Sequence, residues 1–364
     1  MSSIKTIRAL SVLAGAAWLL GAGCPARSPS APAEEGSPKT PAAPSARPAL
    51  KGQTHAHSSR SGDSQTPPEA VARWYADRGY DFLVFTDHDA ITAPPSPEGL
   101  LVIPGVELTQ NSRDCDPPPE PGMACLLHVN ALFVDPTAPA RISWPAAPLS
   151  RRLDIFSLAL SKTRDLGGLA QINHPNFHYA ADAALIAELG RRGALLLEIA
   201  NEAVDSNNAG DADHPPVEAL WDAALDAGAR IYGVASDDAH HYDDAEAVRA
   251  TGEVAHTGDR GFVMVWAERS APAIRAAMAR GDFYSSTGAL IDRVEVADGA
   301  LLVAVAAGQG PHRVDFIGPG GRTLASSSAP VASHPIPEGP GARLRALVTL
   351  DRGQKAWTQP AWRD

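Results

Sequence analysis

Six of the twelve histidines in this 364-residue chain fall at the ends or along the inner parts of short apolar runs, with acids beside several. His55 and His57 form an H-x-H pair, followed in order by Asp87 with His88, Glu107, His128, His174, Glu198, and the group Asp237, Asp238 and His240. Imidazole nitrogen and carboxylate oxygen are ligands for Zn2+, Mn2+ or Fe2+, and a carboxylate can bridge two such ions a few ångströms apart. Side chains two apart on a strand point the same way, so His55 and His57 can grip one ion together. A lone histidine on an apolar strand is more often a satisfied core residue. Six of them with acids alongside point instead to a metal cluster.

The elements that must position these residues alternate between short β-branched runs and amphipathic stretches. Strands are expected at 51–55, 81–86, 100–106, 125–133, 168–172, 194–199, 230–235 and 262–266. Helices are expected at 68–78, 152–165, 181–191, 217–227 and 271–279. Seven or eight βα units of this kind predict an α/β barrel over 49–290, whose strand carboxyl ends would share one face and gather the polar residues. An open doubly wound sheet is the alternative, but no Gly-rich phosphate loop follows the first strand. From about Ile291 the texture changes to Val/Ala/Leu alternation with Gly and Pro turns, which predicts a small antiparallel β-unit over 291–364.

The N-terminus carries Lys5 and Arg8 before an apolar run from Ala9 to Ala22, the pattern of a signal peptide over 1–24. Its end, Gly21-Ala22-Gly23-Cys24, resembles a bacterial lipobox, so an exported, membrane-anchored lipoprotein acylated at Cys24 is expected, with a periplasmic or secreted form as the alternative. Residues 25–48, nearly all Pro, Ala, Ser, Gly and charge, read as a disordered linker. The remaining cysteines, Cys115 and Cys125, close a Pro-rich loop, and the exported compartment favours a disulfide between them over two free thiols. The formal net charge of −11 argues against long nucleic acid as a partner and leaves a small ester substrate. Oligomeric state is not readable.

The motif string resembles the polymerase and histidinol phosphatase (PHP) superfamily of metal-dependent phosphoesterases. The similar pieces are His55-Ala56-His57-Ser58, Thr86-Asp87-His88-Asp89, Pro104-Gly105-Val106-Glu107, His128-Val129-Asn130, Asn173-His174-Pro175, Leu197-Glu198-Ile199 and Ser236-Asp237-Asp238-Ala239-His240, arriving in the family's order across residues 51–240. The segment Gly281 to Gly288 is also similar to the end of the family's barrel. The resemblance implies a distorted (β/α)7-type barrel with two or three divalent ions, Mn2+, Zn2+ or Fe2+. It implies His55, His57, His88, Glu107, His128, His174, Asp238 and His240 as ligands, Glu107 bridging two ions, and Asp63 as a ninth from a shifted position.

Glu107, Asp238 and His240 are expected to carry the catalytic work, and the ions to activate a water against a phosphoric ester. Asp87 and Asp237 read as orienting residues, and Glu198 is left outside the ligand set. His178, His241 and Tyr242 are candidate proton donors or plain surface residues, and Arg60 is a candidate phosphate contact or an exposed loop arginine. An exported branch of the superfamily is similar to hydrolases named for cleaving aryl carbamates, so a carbamate or carboxyl ester is the competing substrate. A non-catalytic metal- or glycan-binding surface lipoprotein is the second alternative. Loops 110–122 and 178–216 are expected to set specificity.

Overall fold

The computed structural model describes residues 49–146 and 149–363, so the signal peptide, lipobox and linker readings lie outside the described residues. Eighteen strands and six α-helices are formed among the described residues. Helix α1 (Pro68–Ala76) starts on a proline, which suits the first helical turn because its missing N–H would be unpaired there, and it buries Val71, Ala72, Trp74 and Tyr75. Helix α2 is Arg152–Asp165, α3 Ala183–Arg191, α4 Val217–Asp226, α5 Ala245–Ala250 and α6 Ala271–Arg280. Asp182 caps α3 by accepting from the Leu185 N–H. Ser270 caps α6 in the same way, and that helix ends at Gly281 in the left-handed conformation that glycine adopts without steric cost.

The strands are β1 (Leu50–Gln53), β2 (Phe82–Val84), β3 (Leu101–Ile103), β4 (Gly105–Ser112), β5 (Cys125–Leu132), β6 (Leu169–Ile172), β7 (Leu196–Asn201), β8 (Tyr232–Ser236), β9 (Phe262–Val265) and β10 (Phe283–Ser286). After them come β11 (Ile291–Ala297), β12 (Ala300–Val305), β13 (His312–Ile317), β14 (Thr323–Ser327), β15 (Val331–Pro335), β16 (Arg343–Leu350), β17 (Lys355–Thr358) and β18 (Ala361–Trp362). One sheet of five runs β4-β5-β6-β7-β8. A ten-stranded sheet runs β14-β13-β16-β17-β10-β9-β1-β2-β3 with β18 on β16, and β11-β12-β15 form a third.

The expected (β/α)7-type barrel is therefore not formed: the strands divide into three separate sheets, none closed on itself. The βα units of a parallel barrel are realised only in part. β6, β7 and β8 pair in parallel through α3 and α4, and β1, β2 and β3 also pair in parallel. By contrast β4, β5 and β6 pair antiparallel, as do β1 with β9 and β9 with β10. Between β3 and β4 stands only Pro104, too short a link for a crossover helix, so the chain passes from one sheet directly into another. The strands beyond residue 291 are antiparallel; β17 joins β10, so β13, β14, β16, β17 and β18 continue the ten-stranded sheet, while β11, β12 and β15 stand apart.

Two sheets nonetheless meet where the polar residues lie. Isolated backbone bridges join Ala56 to Ala239 and His88 to Glu107, drawing the carboxyl ends of β1, β2 and β8 to the body of β4. Gly105 permits this approach: a Cβ there would lie 2.6 Å from the Phe85 carbonyl oxygen and from a Val84 methyl. The main apolar core, including Phe156, Ile186, Leu197 and Trp221, packs the five-stranded sheet against α2, α3 and α4.

Candidate metal centre

All nine residues expected as ligands converge. Glu107, almost completely buried on β4, lies at the middle. Its Oε1 is 3.1 Å from His128 Nδ1, 3.4 Å from His55 Nε2 and 3.5 Å from His174 Nε2; its Oε2 is 2.9 Å from His88 Nδ1 and 3.5 Å from His57 Nε2. Asp238 Oδ1 lies 3.0 Å from His57 Nε2 and 3.2 Å from His55 Nε2. Asp63 Oδ2, on a solvent-exposed loop, is 2.9 Å from His88 Nε2 and 3.3 Å from His240 Nε2. Four overlapping sets have donor atoms close enough to share one ion: His57, Asp63, His88 and His240; His55, His57 and Glu107; His55, His174 and Asp238; and Glu107, His128 and His174.

The donor set fits divalent ions on a second count. His55 Nε2, His57 Nε2, His128 Nδ1 and Glu107 Oε2 are buried, face the cluster, and have no hydrogen-bond partner among the described residues. Buried polar atoms are almost always paired, and four orphans aimed at one another suit shared cations. The opposite ring atoms are held. His57 Nδ1 meets Ser61 Oγ at 2.8 Å, and His128 Nε2 meets Asn111 Oδ1 at 2.7 Å. His55 Nδ1 meets Glu198 Oε1 at 2.6 Å, which fixes the ring as a carboxylate partner does behind a metal-bound histidine.

Charge follows from this crowding. Burial acts to raise the Glu107 carboxyl, but His128, His88 and His55 outweigh it and hold the group well below its usual range. Burial likewise opposes ionisation of Asp238, and His55, His57 and His240 prevail. His57 is lowered to about 4 by burial and by the neighbouring His240, so its ring is neutral with Nε2 turned inward. His88 goes the other way, up to about 11, because Glu107 and Asp63 overcome its burial. Two residues also hold a backbone conformation that non-glycine residues seldom take, His174 at φ 25° and Asp238 at φ 51°. Such local cost collects at functional sites.

The residues around the cluster have distinct parts. Fully buried Glu198 accepts from His55, Gln171 Nε2, Ser236 Oγ, Asn201 Nδ2 and the His174 N–H. Asp237 accepts from Gln53, Tyr75 and the N–H groups of Asp259, Arg260 and Gly261, an anchor for the chain between β8 and β9. Asp87 accepts from Ser58 N and Oγ. Tyr242 donates to the carbonyls of His57 and Ala239 and so braces the ligand backbone. His178 and His241 each accept a backbone N–H at Nδ1, from Ala124 and His256. Arg60 is exposed, and the Arg141 guanidinium donates to its carbonyl at 3.3 Å.

Gln53, Gln171 and Asn201 went unnoticed in the sequence and Asn130, though part of a quoted motif, was given no role, although fully buried amides within apolar strands were a legible sign of an internal network. The two loop cysteines, Cys115 and Cys125, are joined as a disulfide.

No family model matches the chain, and no curated protein matches it. Among solved structures, an endonuclease/exonuclease/phosphatase from Beutenbergia cavernae is similar at 11% identity with a TM-score of 0.25, covering 86% of this chain and 100% of that one. A likeness that low carries no argument. The resemblance to the PHP superfamily is thus overturned: the closed barrel it implies is not formed, and no family model supports a PHP domain. Short His/Asp/Glu motifs at strand ends can be collected by unrelated α/β scaffolds, and they do not define a fold. What stands is a set of clustered His/Asp/Glu sites able to hold divalent ions, consistent with a metal-dependent hydrolase.

Proposed function

We propose that this chain hydrolyses phosphoric esters of small molecules at a multinuclear centre of two or three divalent ions, Mn2+, Zn2+ or Fe2+. The observation that carries the reading is the sharing of Glu107 between two of the four ligand sets, which brings neighbouring ion positions under one carboxylate. His55, His57, Asp63, His88, Glu107, His128, His174, Asp238 and His240 would hold the ions. Bound together, such ions supply an activated water near neutral pH and neutralise charge on the attacked group.

The chain's own residues do the rest. Glu107 and Asp238 stay ionised, Glu198 keeps the His55 proton at Nδ1 so that Nε2 faces the centre, and buried His57 presents a neutral Nε2. Asp63, His88 and His240 border the less buried side, and exposed Arg60, three residues before Asp63 in the chain, is the cation that would meet a phosphate there. A carbamate or carboxyl ester is the second substrate reading, favoured by the fact that this arginine is not buried. The acidic chain is unsuited to long nucleic acid. Acylation at Cys24 would place the protein at the cell envelope, and Cys24→Ser should then release it from membranes.

The deciding experiment is elemental analysis of the purified chain, coupled to assays with an aryl phosphate monoester, a phosphodiester, a carbamate and a carboxyl ester. Two or more ions per chain with turnover of a phosphoric ester supports the proposal. Turnover of the carbamate or carboxyl ester alone replaces the substrate class, and a metal-free, inert protein defeats the hydrolase.

A further inference from the structure

Glu107 on β4 is the direct partner of Asn130 on β5, and Asn130 of Gln171 on β6, so a row of one acid and two amides crosses the five-stranded sheet. Asn173 follows directly on β6 and is 1% exposed. Its Nδ2 donates to Glu107 Oε1 at 2.8 Å and to Asn130 Oδ1 at 2.9 Å. Asn130 in turn donates from Nδ2 to the Thr54 carbonyl at 3.1 Å, and Gln171 Nε2 donates to Asn173 Oδ1 at 3.3 Å and to Glu198 Oε1 at 3.1 Å.

Both ends of this chain fix its direction. The Thr54 carbonyl only accepts, so Asn130 must offer its NH2 there and turn its oxygen to Asn173, which answers with its own NH2. At the other end the Glu198 carboxylate only accepts, so Gln171 gives an NH2 that also serves Asn173 Oδ1. A turned Asn173 amide would set oxygen against both Glu107 Oε1 and Asn130 Oδ1. The donor facing Glu107 is therefore held in place by partners that are not metal ligands.

That donor has one effect on the carboxylate. It pins Oε1 on the side of His128, His55 and His174, and Oε2, which has no hydrogen-bond partner among the described residues, is left facing His88 and His57. A carboxylate free to rotate could instead close both oxygens on one ion. We propose that Asn173 is a positioning residue of the centre, whose amide holds Glu107 in the orientation that lets neighbouring ion positions share it. The proposal rests on the multinuclear reading above.

The test compares the native chain with Asn173→Leu, which keeps nearly the same volume and loses the donor. Both are stripped of metal, titrated with Mn2+ against a chelator of known affinity, and followed by electron paramagnetic resonance, with melting of the metal-free protein measured alongside. The native chain should take up at least two Mn2+ with an exchange-coupled spectrum. Asn173→Leu should bind the second ion about 10–100-fold more weakly, the loss expected when a partner behind a ligand is removed, and its spectrum should be that of uncoupled ions. Asn173→Ser, which leaves space where leucine adds methyl groups, carries the same expectation and decides the matter if the leucine variant does not fold. A coupled native pair whose coupling and affinity persist in the folded variant would overturn the role of Asn173 alone, as would a lowered melting temperature with both unchanged, the mark of a purely structural residue. A native chain that binds fewer than two Mn2+, or binds them uncoupled, would instead sink the shared carboxylate, and this role with it.

Discussion

Glu198→Gln isolates the part played by the carboxylate behind His55. The side chain keeps its size and loses one acceptor oxygen. In the native protein every partner of Glu198 donates: His55, Gln171 and Ser236 toward Oε1, and the His174 N–H and Asn201 toward Oε2. A glutamine must turn its NH2 toward one of these groups. Facing Oε2's partners, it leaves two donors opposed; facing Oε1's, it can be accommodated only if His55 accepts at Nδ1, which moves the ring proton to Nε2, the atom 3.2 Å from Asp238 and 3.4 Å from Glu107. A protonated Nε2 cannot be a ligand. Either arrangement weakens the centre, and loss of such a partner typically lowers metal affinity by about 10–100-fold, or about 1.4–2.8 kcal/mol. Two opposed donors would also cost roughly 2–6 kcal/mol of ion-free stability, offset in part by burying a neutral amide in place of a carboxylate. Competition against a chelator of known affinity reads the first quantity, and denaturant unfolding of the ion-free protein reads the second. A folded variant that competes as well as the native chain would refute the reasoning, because the His55–Glu198 contact would then have no hold on the ligand atom.

Asp63→Ala should remove one ion per chain by elemental analysis while leaving the chain folded, since Asp63 sits on an exposed loop; unchanged stoichiometry would take it out of the ligand set. Cys115→Ser opens a disulfide of sequence separation 10 and should lower stability by about 2–3 kcal/mol on the loop-entropy model, read as a shifted denaturant midpoint; an unshifted midpoint would show that the loop constrains nothing. His214 is raised above its ordinary 6.5, first by its bond to Asp211 and then, against desolvation, by Glu120. Its pairing is therefore complete below about 6.5 and lost as pH rises through the raised value. NMR titration of the ring should show that displacement and its reversal in Asp211→Asn; an ordinary midpoint in the native chain would refute the pairing.

The local elements were legible because they are encoded locally. The amphipathic pattern places α2 at 152–165, where it forms, and misses α3, α4 and α6 by only a residue or two at one end. Short α5 carries too little apolar periodicity to show. Strand positions were also readable, but strand direction is not a local property. Whether β5 runs parallel or antiparallel to β6 depends on the path of residues 133–168 and on partners far along the chain, so a list of βα units led to a barrel that the pairing does not close. The site survived that error because its ingredients are strand-end residues, and two sheets meeting through the Ala56–Ala239 and His88–Glu107 bridges gather strand ends as a ring would.

What residue type alone could not separate was the ligand from its holder. Glu107 and Glu198 are both acids on apolar strands, and both are buried. One faces five imidazoles with an orphan oxygen, and the other spends both oxygens on donors, one of them the far side of His55. That distinction lies in where each carboxylate points across the gap between the strands, a tertiary quantity. It is also why Glu107→Gln and Glu198→Gln should differ in ion count, the first losing positions in the two sets that share it and the second keeping every position at weakened affinity.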